Sequence, residues 1–202
     1  RAGAARLGLP NIRTTLQDAA APRADWVGTA DVVLCDVPCS GLGIIRKKPE
    51  IRYKDPAEIG QLPALQAKIL QNCAQYVRPG GTLVYSTCTI LQRENDDVVR
   101  AFLAQNPEFA TEAWSHPVCG ERADGMVTLL PPVHDTDGFF IAKLRRKKSR
   151  RPLGWQEVPL RAAGAQEGTN CVFPLLRITP FPLGRSRYIG ICPKICGICC
   201  RK

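Results

Sequence analysis

The spacing of apolar positions along the chain changes several times, and each change marks an element. Asp31–Asp36 reads DVVLCD, apolar at four consecutive positions, which predicts a parallel strand covered on both faces. From about Gln61, Leu62, Leu65, Ile69, Cys73 and Val77 recur at three- and four-residue steps. That spacing draws one apolar stripe on a helix, with Pro63 tolerable in its first turn. Arg78-Pro79-Gly80-Gly81 reads as a stop and turn before a second strand-like run, Thr82–Thr87. Gln92–Gln105 predicts a second amphipathic helix. Its inward face would carry Val98, Val99, Phe102 and Leu103, and Glu94, Asp96 and Asp97 would sit in its first turn, where the helix dipole favours acids.

The flanks are weaker. Arg1–Gly8 looks like the end of a helix, Asn11–Leu16 is β-prone, and Ala19–Thr29 is a loop with Pro22 and Gly28. Phe109–Ala113, Met126–Leu130 and Gly138–Leu144 read as strands, the last two forming an antiparallel pair at a sheet edge. Alternating strand and helix predicts an α/β sheet. The pattern dissolves after Lys148, so residues 1–148 are expected to form the folded domain and 149–202 an atypical, poorly folded tail.

Charge sharpens this division. The formal net charge is +10. Residues 1–144 hold 15 basic and 16 acidic side chains, and residues 145–202 hold 13 and 2. A near-neutral domain carrying a basic tail fits contact with a polyanion such as RNA. No apolar run approaches the ~18 residues of a membrane-spanning helix, and no secretory leader is visible. The expectation is a cytoplasmic, monomeric protein away from membranes, with its ten cysteines reduced. The first residues, RAGAARLGLP, read as the interior of a longer protein.

The chemistry gathers where two strands end. The first ends at Asp36 and runs into Pro38-Cys39-Ser40-Gly41, and the second runs into Cys88 through YSTCT. In open α/β sheets ligands bind at the carboxyl ends of strands. Carbon 5 of cytosine is a poor nucleophile until a thiolate adds to carbon 6. One nucleophilic cysteine, an acid to hold or protonate the ring, and a second group for release would serve that chemistry. Two cysteines and Asp36 at neighbouring strand ends are the residue types it needs. Between the motifs runs a basic loop, Arg46, Lys47, Lys48, Arg52 and Lys54, with Tyr53 among the charges. It is expected to touch phosphates, with Tyr53 offering a stacking surface. Cys35 and Cys73 read as core, and His134 and Asp135 as loop residues.

DVPCSG followed by YSTCTI and an Glu94-Asn95 pair resembles the RsmB/NOP-Sun family of RNA cytosine-5 methyltransferases, on the pattern of the bacterial enzymes acting on 16S ribosomal RNA. RLGLPNI, IRKKPEIRY and TDGFFIAKLRR extend the likeness over residues 1–148. The resemblance implies a Rossmann-like S-adenosylmethionine-dependent fold and ribosomal RNA as substrate. It implies Cys88 as nucleophile, Cys39 as the thiol assisting release, Asp36 as the acid at cofactor and base, and Asp18 as the acid near the adenosine. Two departures stand out. The glycine-rich cofactor loop and the next strand of the family are absent. The Asp31–Asp36 strand should therefore keep an open apolar edge, and S-adenosylmethionine should bind this chain weakly or not at all. The tail is the other departure, and Cys192, Cys196, Cys199 and Cys200 within it are candidate zinc ligands. Two other readings compete. One is a DNA cytosine-5 methyltransferase using the Pro-Cys thiol of Cys39, against which the STC motif argues. The other is a non-catalytic basic RNA-binding or zinc-binding module with structural cysteines.

Overall fold

A computed structural model describes residues 2–9, 11–148, 172–178 and 187–191. In chain order these form α1 (Ala2–Arg6), β1 (Ile12–Asp18), β2 (Ala30–Asp36), α2 (Pro56–Tyr76), β3 (Val77–Thr87), α3 (Asp96–Gln105), β4 (Phe109–Thr111), β5 (Trp114–His116), β6 (Gly120–Arg122), β7 (Met126–Leu129), α4 (Pro131–His134), β8 (Phe139–Arg146), β9 (Val172–Ile178) and β10 (Tyr188–Ile191). The main sheet runs β1-β9-β10-β2-β3-β8-β4, with β7 also paired to β8. β10, β2 and β3 are parallel, while β8 opposes β3. The cysteine and acid motifs thus emerge together, at the carboxyl ends of β2 and β3.

The helix that joins those two strands begins five residues before the apolar stripe. Asp55 accepts the N–H of Ala57 at 2.8 Å, Pro56 occupies the first turn and Glu58 follows three residues after the cap. This is a capping pattern that the stripe alone does not reveal. Pro63 therefore lies inside the helix rather than in its first turn. Ile69 and Cys73 are buried as the spacing predicts, whereas Val77, which the stripe would place on the helix, opens β3 and is buried there. So are two polar side chains of α2, Gln66 and Asn72, because both have backbone to serve. Asn72 donates to the carbonyls of Ala19 and Ala21, which pins the loop that follows β1.

Arg78–Gly81 is not a free turn. β3 starts at Val77 and pairs with β2 on both sides of a register shift, Ala30 opposite Val77 and Val32 opposite Thr82. The extra residues bulge out, and Gly80 takes the positive φ, 75°, that the bulge requires. The core lies between the sheet and the helices. It includes Val33 and Cys35 of β2, Ile69 and Tyr76 of α2, Leu83 and Tyr85 of β3, Phe102 of α3, and Phe140 and Leu144 of β8. Tyr85 meets Phe140 edge to face, with ring centroids 6.1 Å apart. Cys35 and Cys73 are both in this core. β2 is not covered on both faces, however, for Leu34 is 43% exposed.

Two expectations about the tail meet a different outcome. Residues 172–178 and 188–191 are strands, and β10 pairs in parallel along β2, so the β2 edge expected to be open is occupied. Ile189 is 2% exposed in that position. β10 supplies in strand form the apolar partner that β2 demands, and a segment too short for a clear period hides this from pattern reading. Asp31 fixes the junction, accepting Nε of Arg78 and the backbone N–H of Arg187. The four terminal cysteines lie outside the described residues, and no metal-binding cluster is present among the described residues. No helix of the described residues is long and apolar enough to cross a membrane. The small β5–β6 hairpin and the α4 turn are too short to leave a mark in the apolar pattern. His134 lies in α4, and its Nδ1 accepts the N–H of Leu130 at 3.0 Å, a local cap rather than a loop position.

Candidate active site

β2 ends at Asp36 and β3 at Thr87, and the register sets Asp36 opposite Ser86. The next residues of both strands therefore leave the sheet side by side. Ser86 donates from Oγ to Asp36 Oδ1 at 3.1 Å. Just beyond, the sulfurs of Cys39 and Cys88 lie 3.0 Å apart, although 49 residues separate them in sequence. The backbone N–H of Cys88 also points at Cys39 Sγ, at 3.2 Å. Contact with Cys88, then burial, push the Cys39 thiol well above its usual range. Two thiols in such contact titrate as a pair, and a proton on one sulfur lies within reach of the other.

The turns that present the sulfurs are locked by close backbone approach. Gly41 has φ 79°, a left-handed conformation open to glycine at no cost. The N–H of Gly43 donates to the carbonyl of Cys88 at 3.0 Å, and Gly138 N–H donates to the carbonyl of Gly43 at 2.7 Å. Three segments distant in sequence thus share one crossing: the loop after β2, the end of β3 and the start of β8. A side chain at residue 43 would collide with backbone on two sides.

Beneath the sulfurs lies a buried polar layer. Ser40 Oγ and Thr89 Oγ1, each one residue after a cysteine, are 2.7 Å apart. Glu94 Oε2 accepts the N–H of Ser40 and Nε2 of Gln66, both at 2.9 Å. Gln66 Nε2 also reaches the carbonyl of Pro38. Asn95 accepts Thr87 Oγ1 at 2.7 Å and donates to the carbonyl of Thr89 at 3.1 Å. Glu94 is consequently no helix-dipole acid on a solvated first turn. It is fully buried in a short 3-10 turn, Gln92–Glu94, that precedes α3.

The remaining candidate residues divide. Arg46 and Lys47 turn back to Asp137, at 3.4 and 2.5 Å, so part of their charge is spent within the chain. Lys47, by hydrogen bond and charge, with Arg46 adding charge, holds the Asp137 carboxyl below the ordinary carboxylate range. Lys54 donates to the carbonyl of Ser40 at 2.8 Å and braces the Cys39 turn. Lys48 and Arg52 are exposed, and Tyr53 is 88% exposed. Asp18 ends β1, where its Oδ1 accepts the N–H of Ala20 at 2.9 Å in a turn. β1 runs parallel to β2, so Asp18 and Asp36 lie at the same end of the sheet. β9 and β10 separate them, a span of roughly 14 Å at the usual strand spacing. The apolar pattern gives no sign that Glu94, Asn95, Gln66 and Asp137 belong to this site; Glu94-Asn95 and Asp137 stand out only as part of the family-like motifs.

Comparison with known proteins bears on this arrangement. The sequence pattern of the family described as 16S rRNA methyltransferase RsmB/F matches residues 2–145. Probable ribosomal RNA small subunit methyltransferase B of Bacillus subtilis is 40% identical over 149 residues, 70% of this chain and 33% of that protein. Ribosomal RNA small subunit methyltransferase F of Cronobacter sakazakii is 36% identical over 159 residues, 75% of this chain and 33% of that protein. Among solved structures, NSun6 from Pyrococcus horikoshii, determined with SFG, aligns with a TM-score of 0.58 and 29% identity, covering 73% of this chain and 38% of that one. PH0851 aligns with a TM-score of 0.58 and 36% identity, covering 63% and 29%. The chain spans about a third of the length of these curated relatives. With two cysteine-bearing strand ends on a Rossmann-like sheet and a family match across most of its length, this chain belongs to the RsmB/F family of ribosomal RNA methyltransferases.

Proposed function

We propose that this chain carries the thiol half of an S-adenosylmethionine-dependent RNA cytosine-5 methyltransferase acting on small-subunit ribosomal RNA. The observation that carries the reading is the 3.0 Å approach of Cys39 and Cys88 at adjacent parallel strand ends, with Asp36 on the strand leading to one of them. Family membership supports the substrate class, and the NSun6 relative was determined with an S-adenosylmethionine analogue.

Cys88 Sγ, as thiolate, adds to carbon 6 of the cytosine. A carbon–sulfur bond forms and the ring electrons move toward carbon 5 and the ring nitrogen, which Asp36 holds. S-adenosylmethionine supplies an electrophilic methyl group to carbon 5. Loss of the carbon 5 proton to a base then re-forms the double bond and breaks the carbon–sulfur bond, returning Cys88 as thiolate. Cys39, protonated and in contact with that sulfur, lowers the cost of the departing negative charge. The target base must leave its stack to reach a thiol held between strand ends, with the exposed Lys48, Arg52 and Tyr53 available to the flanking strand.

The residues present fit the cofactor in part. Asp18 and Asp36 lie at the same end of the sheet, two strands between them, a suitable span for an extended nucleoside–amino acid. Asp18 is already engaged by the turn at Ala20, and β9 and β10 lie between the strands that carry the two acids. Weak affinity for S-adenosylmethionine follows.

The deciding experiment uses RNA containing the target cytosine, S-adenosylmethionine and denaturing gels. Cys39→Ala should accumulate a covalent RNA–protein adduct, and Cys88→Ala should form none and transfer no methyl. An adduct in Cys88→Ala but not in Cys39→Ala would exchange the two roles and favour the chemistry of the DNA enzymes. No adduct in either variant, with salt-sensitive RNA binding retained, would favour a non-catalytic binding module.

A further inference from the structure

Cys39 and Cys88 are presented by different loops, and neither loop fixes its sulfur alone. The contacts that tie both loops to one support converge on two consecutive residues. Glu94 takes the backbone N–H of Ser40, the residue after Cys39. Asn95 takes the hydroxyl of Thr87 and gives a hydrogen bond to the carbonyl of Thr89, the residues on either side of Cys88. Both side chains are fully buried. Asn95, with φ −113° and ψ −99°, lies between the 3-10 turn and α3. This break in the helical path lets neighbouring side chains reach two different loops. Tyr85 Oη donates to the carbonyl of Glu94 at 2.7 Å and anchors the pair to β3.

We propose that Glu94 and Asn95 act as a paired positioning device. Glu94 sets Cys39, Asn95 sets Cys88, and their adjacency in the chain fixes the distance between the sulfurs. Stability alone does not account for Glu94. Its second oxygen, Oε1, is buried and meets no hydrogen-bond partner among the described residues, a liability in a protein interior. What the carboxylate does achieve is a strong bond to a loop N–H while also holding Gln66, which itself grips the carbonyl of Pro38 on the other side of Cys39. Cys39 is thus flanked by two backbone groups held through Glu94 and its partner, as Cys88 is flanked by two groups held by Asn95. The inference rests on the proposed use of both thiols at one base, but it concerns only where the sulfurs are held.

The test reads that placement directly, without RNA or S-adenosylmethionine. The full chain is equilibrated with reduced and oxidised glutathione, and the Cys39–Cys88 link is quantified by peptide mapping. The reaction oxidises both thiols to one disulfide, reduces glutathione disulfide to two glutathione thiols and carries the two protons to them, so the equilibrium constant is an effective concentration of one sulfur at the other. The wild-type chain should form the link. Glu94→Ala and Asn95→Ala should each lower the effective concentration on the order of tenfold or more, the scale expected when a reacting group loses its orientation. Glu94→Gln, whose amide oxygen can still accept from Ser40 and Gln66, should restore it. A role confined to stability would lower the unfolding midpoint and leave this equilibrium in the folded chain unchanged. Should an alanine variant fail to fold, Asn95→Asp keeps the size and the bond from Thr87 but replaces the donor to Thr89, and it should show the same loss. A wild-type chain that stays reduced, or folded Glu94 and Asn95 variants with wild-type equilibria, would overturn the proposal. Because no methyl transfer is read, the thiol equilibria test the positioning role separately from the enzymatic reading, which the adduct experiment decides.

Discussion

Replacing Gly43 by alanine adds one methyl group at the point where three segments of the site cross. A Cβ there would lie 2.0 Å from the carbonyl oxygen of Gly138, 2.6 Å from its carbon and 2.9 Å from the carbonyl oxygen of Cys88. All three atoms are backbone, so no side chain can rotate away. Overpacking of an interior costs about 1–3 kcal/mol when side chains can shift, and more when they cannot. The displacement would also stretch two hydrogen bonds, Gly43 N–H to Cys88 and Gly138 N–H to Gly43, each contributing about 1 kcal/mol. The expected loss is about 3–5 kcal/mol, a large part of the ~5–15 kcal/mol that holds a domain together. Gly60→Ala is the control. Gly60 lies within α2, and a Cβ there meets nothing within 4 Å, so the variant should gain about 0.5–1 kcal/mol from helix propensity. Urea unfolding of both chains reads the contrast, with Gly43→Ala shifted down by roughly 2 M on an ordinary slope and Gly60→Ala shifted slightly up. A Gly43→Ala midpoint within experimental error of wild type would refute the claim that this crossing fixes the site.

Three further outcomes follow from the structure. Asp137 has a folded-state pKa held below its unfolded value by Lys47 and Arg46, so its ion pairs stabilise the chain above the unfolded carboxylate range and are lost as pH falls through the lowered value. The stability difference between wild type and Asp137→Asn should be constant above about pH 5 and shrink below about pH 4; a difference unchanged down to pH 3 would contradict the assignment. Replacing the exposed Lys48 and Arg52 with glutamine should flatten the salt dependence of RNA binding by about 0.7 in log–log slope per cation removed, and an unaltered slope would take both residues off the RNA path. Removing residues 149–202 strips β10 from β2 and exposes the backbone edge of Val32–Cys35. Light scattering should then show concentration-dependent association, whereas a monodisperse, folded truncation would show that β10 is dispensable.

Much of the frame was present in the residue pattern. The apolar run of β2, the three- and four-residue spacing of α2 and the motif at each strand end locate the parallel pair and point both cysteines at the same edge of a sheet. That is a local matter, because strand period, capping and turn chemistry depend on neighbours in sequence. Five things needed the third dimension. The sulfurs meet at 3.0 Å because the β2–β3 register places Asp36 opposite Ser86, and register is a pairing between distant segments. Glu94 looked like a solvated first-turn acid, and only burial against the Ser40 loop turned it inward. Arg46 and Lys47 read as free cations until β8 brought Asp137 beneath them. Gly43 carries no signal of its necessity until the backbone of Gly138 crosses it. The edge of β2 seemed open because its partner, β10, arrives from more than 150 residues later. Each is a contact between parts of the chain that local preference cannot connect, and it exists only once the sheet is assembled.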